Sequence, residues 1–488
     1  MITAQFALLL SILVPLGAVG PIGLLSRYPN LRETATIIAS VITFILVAIV
    51  YLSVRHGVEP QLTLIEPFAG VSIAFRAEPL GMLFALMASF LWIVTSIYSI
   101  GYMRGHHEQN QTRFFMFFAI AISCTLGAAF AANGFTLFLF YEALTLSTFP
   151  LVTHKGDDKA KRAGRIYLFI LLGTSVGFFL LALIWTWQMA GHLDFQAGGV
   201  FDSNHSRTVL NILLVLYIFG IGKAALMPFH RWLPTAMVAP TPVSALLHAV
   251  AVVKTGVFAI LKICVYLFGV DLVASLPAHN FLAYVAAFTI IATAIIALRK
   301  DNLKARLAYS TIGQLSYIVL GAMTANAWGI VGGGMHMLMH GFGKITLFFC
   351  AGAILVAAHK TQISQLRGIG RKMPVTMTAF LIGSISIVGA PPTGGLWSKW
   401  YLLLGIVETH EWILLGALIL GSLLSAVYLL PIVVRAFYPA TDSATEVSEA
   451  PISTRIAMLT CSAGCIVLFA APNFAYDLMS TIVNFGTS

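Results

Sequence analysis

The chain has 488 residues, of which 59% are hydrophobic and only 9% charged, with a net charge of +10, whereas a soluble globular domain carries roughly 25% charged residues. That composition excludes an ordinary water-soluble enzyme and predicts an all-α polytopic membrane protein. At about 20 apolar residues per span, the length accommodates about fourteen helices and leaves no room for a separate soluble domain, so the chain reads as one membrane domain.

Apolar runs predict spans at 3–25, 34–54, 79–102, 113–132, 134–153, 164–190, 208–228, 241–268, 280–298, 307–325, 328–358, 374–408 with a break, 411–437 and 453–474. The first run has no basic n-region and no small-residue cleavage site, so it reads as a retained helix rather than a removed signal. Basic residues gather on alternate connectors. Lys155, Lys159, Lys161, Arg162 and Arg165 follow span 5, and Arg299, Lys300, Lys304 and Arg306 follow span 9, whereas the opposite connectors hold only Arg55, Arg76 and Arg207. By the positive-inside rule the basic side is cytoplasmic and both termini face outward. Charge so distributed orients a membrane protein and does not point to nucleic acid.

Between spans 2 and 3, LTLIEPFAGVSIAFRA alternates apolar and polar residues, which predicts a short hairpin over the outer face with a packing role. The run PATDSATEVSEAP at 439–451 is acidic and turn-rich and reads as a solvated cytoplasmic loop that is open to a neighbouring subunit. The short stretch after the last span predicts no long lateral helix. The five cysteines, Cys124, Cys264, Cys350, Cys461 and Cys465, all fall in apolar runs and read as small buried hydrophobes.

The charges left inside spans carry the chemistry. Each costs roughly 2.5 to 3.5 kcal/mol at the bilayer centre even on a lenient scale, so a chain that keeps several is using them. Among the carboxylates only Glu142, in LFLFYEALTLSTFP, lies deep in a span. Five lysines do: Lys223, Lys254, Lys262, Lys344 and Lys399. Lys262 lies near a helix end, where its stem permits snorkelling to the interface. The others lie too deep for that, and a lysine partner is what would keep the Glu142 carboxylate ionised.

His336, His340 and Lys344 in GGGMHMLMHGFGK follow an i, i+4, i+8 spacing and form one polar stripe on a helix. Zinc suits an i, i+4 histidine pair, but no HExxH glutamate or third ligand accompanies it. Haem needs a matching histidine pair on a second helix, which His248 and His230 do not supply. A proton relay of imidazoles and a desolvated amine fits the stripe better, with a purely structural histidine as the plainer alternative.

Two spans must break. Pro228 interrupts span 7 beside Lys223, and Pro391 and Pro392 interrupt span 12 beside Lys399. A deep lysine beside a broken helix, once in each half and five spans apart, predicts internal repeats of inverted topology with the ion path along them.

The blocks SIGYM, FYEALTLST, GKAALMPFHRWLP, APTPVSALLHAVAVVKTGV, KARLAYSTIGQLSY, HMLMHGFGK and PPTGGLWSK, spread from Ser99 to Lys399, resemble the antiporter-like subunits of Mrp-type cation/proton antiporters, respiratory complex I and membrane-bound hydrogenases. The resemblance implies about 14 transmembrane helices, broken helices 7 and 12, and inverted five-helix repeats over helices 4–8 and 9–13. The segments are then residues 1–112, 113–268, 279–437 and 438–488. It implies a proton path through Glu142 and Lys223, then His248 and Lys254, then His336, His340 and Lys344, and finally Lys399. HKTQISQLRGIGRKMP and PPTGGLWSKWYLL are most similar to the D-type members of the Mrp antiporters, while Lys399, where a glutamate is expected in the M-type members of complex I, departs from that second pattern. The implied function is proton translocation within a multisubunit Na+/proton antiporter of a prokaryotic cell membrane, not enzymatic catalysis. The alternative is the pumping subunit of a redox-driven complex of the NADH:quinone oxidoreductase or hydrogenase type. No cofactor motif occurs in the chain. Other membrane subunits are the implied partners, and protons with Na+ or K+ the implied cargo.

Overall fold

The computed structural model describes residues 3–201, 205–439 and 448–483. In chain order the membrane helices are α1 (Ala4–Leu24), α2 (Pro29–Arg55), α3 (Pro79–Gly105), α4 (Gln111–Ala129), α5 (Gly134–Val152), α6 (Asp158–Ala190), α7 (Arg207–Gly220, resuming as Trp232–Thr235), α8 (Val243–Phe268), α9 (Pro277–Arg299), α10 (Leu303–Met323), α11 (Ala327–Ala358), α12 (Pro374–Val388, resuming as Gly395–Glu408), α13 (Trp412–Phe437) and α14 (Ile452–Ala470). Among the described residues eleven of these are long and apolar enough to cross a membrane. The other three are α7 and α12, cut short by their breaks, and α10, whose 21 residues are more polar.

The breaks fall at the prolines. In α7 the helix stops at Gly220, Lys223 sits on a single tight turn (Gly222–Ala224), and Ala225 adopts a left-handed backbone before the Met227–Pro228 peptide, which is cis. In α12 the first piece ends on Gly389 with φ 86°, and the second begins after the cis Pro391–Pro392 peptide. Backbone freed at membrane depth must find partners inside the protein. At α7 the indole N–H of Trp232 donates to the Gly222 carbonyl at 3.0 Å, and the Lys223 N–H donates to the Tyr141 hydroxyl at 3.0 Å.

Helices α4–α8 and α9–α13 repeat one order: three unbroken helices, one broken at prolines, then one unbroken. The broken members are five helices apart and so cross in opposite directions, which gives the inverted repeat. The core lies where the repeats meet. α11 is buried without interruption from Gly329 to Ile354, whereas only a third of the most apolar window of α13 and of α14 is buried, which leaves their remaining apolar faces for lipid. Close approach inside the core depends on small residues. A side chain at Gly332 would press on the backbone nitrogen of Leu402, 2.5 Å away, so the second piece of α12 lies directly on α11.

Between α2 and α3 the chain forms an antiparallel hairpin, β1 (Gln61–Phe68) and β2 (Val71–Arg76). Its second strand is tied to the α4–α5 turn, with Arg76 N donating to the Phe130 carbonyl at 2.7 Å and Ala132 N donating to the Ala74 carbonyl at 2.9 Å. Most of the acidic loop expected at 439–451 falls outside the described residues. Of the part that is described, Glu449 accepts from Val375 N at 2.7 Å and from the Thr376 hydroxyl at 2.9 Å, which caps the start of α12. The five cysteines are buried and unpaired.

Candidate functional site

Each lysine in the membrane region is fully or almost fully shielded, and each has a different set of partners. Lys223 is 0% exposed. Its ammonium donates to the Tyr141 carbonyl at 2.8 Å and to the Thr145 hydroxyl at 2.5 Å, both on α5, and lies 3.2 Å from the centre of the Tyr141 ring. Glu142 lies next to Tyr141 in the chain, but the expected carboxylate–ammonium pair is not closed. Both Glu142 oxygens are shielded, and neither has a hydrogen-bond partner among the described residues.

Lys254 lies in a regular stretch of α8 (Val252–Lys262) between two segments of wide π turns, Val243–Ala251 and Ile263–Phe268. Such turns recur at functional sites because they rotate side chains out of helical register. The Lys254 ammonium meets Nδ1 of His340 on α11 at 2.5 Å. His248 lies on the first π segment, and its side chain is outside the described residues.

The stripe on α11 faces inward as its spacing requires. The His340 and His336 rings stack 5.8 Å apart at 15°. His336 bonds through Nδ1 to the Ser398 hydroxyl at 2.9 Å and through Nε2 to the Gln314 side-chain oxygen at 3.1 Å. One helical turn on, Lys344 donates to the Ser310 hydroxyl at 2.7 Å, and Ser310 accepts from the Tyr428 hydroxyl at 2.8 Å. Next to Ser398 in the chain, Lys399 donates to the carbonyls of Ile387 and Val388 at 2.9 and 3.0 Å and to the Ser422 hydroxyl at 3.0 Å. Its ammonium lies 4.9 Å from the centre of the Tyr317 ring, which in turn lies 5.7 Å from His336. A cavity of about 240 Å³ bounded by Lys399, Ser422, Trp400 and Leu403 opens beside it.

Lys254, His340, His336, Ser398 and Lys399 therefore form one polar file through α8, α11 and α12, with Lys344 on a side branch. Lys223 and Glu142 lie apart from it, and no hydrogen bond among the described residues joins Lys223 to Lys254. Packing does connect them. A side chain at Gly256, two residues beyond Lys254, would collide with the backbone of Lys223 and Ala224.

Sequence reasoning missed the hydroxyl and amide partners: Tyr141, Thr145, Ser310, Gln314, Tyr317, Ser398, Ser422 and Tyr428. It also misread Lys262. Rather than snorkelling outward, this side chain is 0% exposed, donates to the Ala131 carbonyl at 2.6 Å and pairs with Glu78 at 2.5 Å. The amine is turned toward the protein because a carboxylate at the start of α3 waits for it there.

The fold and this file define an antiporter-like membrane subunit. The family model described as NADH:quinone oxidoreductase/Mrp antiporter, TM, matches residues 131–425, and that for the N-terminus of complex I chain 5 matches residues 68–115. The chain belongs to the NADH:quinone oxidoreductase/Mrp antiporter transmembrane family. It is 31% identical to NADH-quinone oxidoreductase subunit N of Desulforudis audaxviator over 77% of this chain and 75% of that protein. It is 33% identical to NADH-quinone oxidoreductase subunit L of Mycobacterium tuberculosis over 76% of this chain and 59% of the relative, and 29% identical to hydrogenase-4 component B of Escherichia coli over 82% and 63%. The chain thus spans three quarters of the Desulforudis relative and less than two thirds of the two longer ones. In fold it is similar to a chain of the Mrp complex from Dietzia sp. DQ12-45-1b, with TM-score 0.87 and 19% identity over 98% and 97% of the two chains. It is also similar to a chain of the membrane-bound sulfane sulfur reductase, an archaeal respiratory membrane complex, with TM-score 0.84 and 23% identity over 98% of each.

Proposed function

We propose that this chain moves protons across a prokaryotic cell membrane as one subunit of a multisubunit monovalent cation/proton antiporter, with Na+ as the exchanged ion. The observation that carries the reading is the file from Lys254 through His340 and His336 to Ser398 and Lys399. Its lysines and histidines are buried titratable groups, bonded or stacked from Lys254 to Ser398 and brought up to Lys399 by chain adjacency and the Tyr317 ring, where a static scaffold has no use for them. The proton enters from the basic, cytoplasmic side at the α7 break and is taken up by Lys223 while Glu142 approaches and supports the charge. It then crosses to Lys254 with His248 and follows the file outward to Lys399. Residues 113–268 and 279–437 are the two repeat units, and both termini lie on the outer side. Exchange of the metal cation draws on oxygen ligands from partner subunits, since Glu142 is the one carboxylate in the middle of a span.

The relatives in redox complexes favour a second reading, in which the same file is driven by electron transfer in partner subunits. Inverted vesicles containing the chain with its co-expressed partner subunits separate the two. Dissipation of an imposed pH gradient on adding Na+ or K+, without an electron donor, supports the antiporter. A gradient that builds only with NADH or another donor overturns it in favour of the redox-driven pump.

A further inference from the structure

A second ionisable cluster lies at the other end of α8, away from the basic face. α8 carries Lys262 eight residues beyond Lys254, about 12 Å along the axis at 1.5 Å per residue. From Lys262 the charged groups step outward. Its ammonium pairs with Glu78 at 2.5 Å, Glu78 lies 3.7 Å from an Arg76 guanidinium nitrogen, and Arg76 lies 3.7 Å from Glu59. Side-chain exposure climbs along the same order, from 0% at Lys262 and 2% at Glu78 to 24% at Arg76 and 43% at Glu59.

The cluster is built rather than incidental. The Arg76 guanidinium donates to the Phe195 carbonyl at 2.6 Å, so the hairpin, the α6–α7 connector, the start of α3 and the end of α8 converge on it. Phe195 and Phe258 flank the Lys262 ammonium at 4.8 and 5.4 Å and keep lipid off it. Yet its hydrogen bonding is incomplete. Oε1 of Glu78 is held by the Lys262 ammonium, but Oε2, 3.7 Å from Arg76, lacks a hydrogen bond among the described residues, and so does the buried Tyr266 hydroxyl four residues past Lys262. Buried polar atoms left open in this way are where water or a transferred proton is held. At the exposed end, burial raises the Glu59 carboxyl above its usual range while Arg76 opposes the shift, which suits a group that takes a proton at the surface.

We infer that Lys262, Glu78 and Glu59 form a proton outlet for the first repeat, distinct from the one at Lys399. The inference rests on the proton-translocation reading above. A proton on the Lys262 ammonium passes to a Glu78 oxygen, which leaves a neutral amine and a carboxylic acid. The acid gives it up to water before Glu59, which restores the Glu78 carboxylate, and Lys262 is recharged from Lys254 through water along α8. Arg76 keeps its charge throughout and carries no proton.

The test measures proton flux in vesicles containing the assembled complex, with Glu78→Gln, Glu78→Asp, the charge-free double variant Lys262→Met/Glu78→Leu, and Lys223→Ala in parallel. The expected result is assembly of all four, flux lowered about twofold in Glu78→Gln and in the double variant because the Lys399 outlet stays open, and most of it retained in Glu78→Asp, in keeping with loss of a positioned proton-transfer group on one of two exits. The double variant removes the pair without stranding either charge, so it separates proton transfer from folding. Wild-type flux in the double variant or in Glu78→Gln, with Lys223→Ala inactive, overturns the outlet alone. Wild-type flux in Lys223→Ala as well overturns the proton-path reading and the outlet with it.

Discussion

Lys254 and His340 meet across α8 and α11 with 2.5 Å between Nζ and Nδ1, and both side chains are buried. His340 Nε2 has no partner among the described residues, so the contact with Lys254 is the one polar bond that holds the ring. Replacing His340 with Ala strands the Lys254 amine, at a cost of about 1–3 kcal/mol for a buried polar group left unsatisfied. The expected outcome is an assembled complex with reduced thermal stability and little proton flux, checked by gel filtration, a melting curve and a vesicle pH-gradient assay on one preparation. Unchanged flux would remove His340 from the path.

Glu142 makes the opposite case, a carboxylate with its oxygens shielded and unbonded among the described residues. Since no native hydrogen bond is lost, Glu142→Ala should leave assembly and melting temperature close to wild type while abolishing coupled transport. A variant that assembles normally and transports at the full rate would refute its role.

The Lys223 turn tests geometry rather than charge. Thr145→Val keeps the shape but removes one acceptor of the ammonium; we expect slower transport with the complex intact. Gly256→Ala drives a methyl group into the Lys223 backbone, and overpacking of this kind costs about 1–3 kcal/mol. Its expected signature is a lower melting temperature together with lost transport, read by the same two assays.

Just beyond the end of α5, His154 is buried and donates through Nε2 to the Gln109 carbonyl at 2.9 Å. Burial lowers its pKa below the ordinary 6.5, Glu108 opposes that shift, and Arg113 and Lys155 add to it. The folded state thus keeps the ring neutral at a pH where the unfolded chain already binds a proton. The stability this contributes is complete above about 6.5 and is lost as pH falls below it. Melting temperatures of the purified complex should fall between about pH 7 and pH 5, and His154→Gln should flatten that slope. An unchanged slope would show that His154 does not contribute to it.

The spans, both breaks and the lysine-bearing helices were legible because hydrophobic run length, proline and intramembrane charge are local signals. The α11 stripe was legible for the same reason, since a spacing of four places residues on one helical face. The partners were not. Ser310, Ser398 and Ser422 look in sequence like Ser89, Thr95 and Ser96, whose hydroxyls merely bond back to a carbonyl four residues earlier. Only the tertiary fold separates the two kinds. Lys262 was misread because its partner Glu78 lies far away in the chain, at the start of another helix. Helix-end position alone favoured snorkelling, and a long-range ion pair overrode it.

On the proposed path, the file from Lys254 to Lys399 has one member at each step, so its throughput would be set by its slowest junction. Lesions on such a chain do not add, because once one link is severed a second has nothing left to interrupt. On the same proposal the Lys344 branch, bonded to Ser310 and not to the next member of the file, would adjust the charge along the chain rather than carry its current.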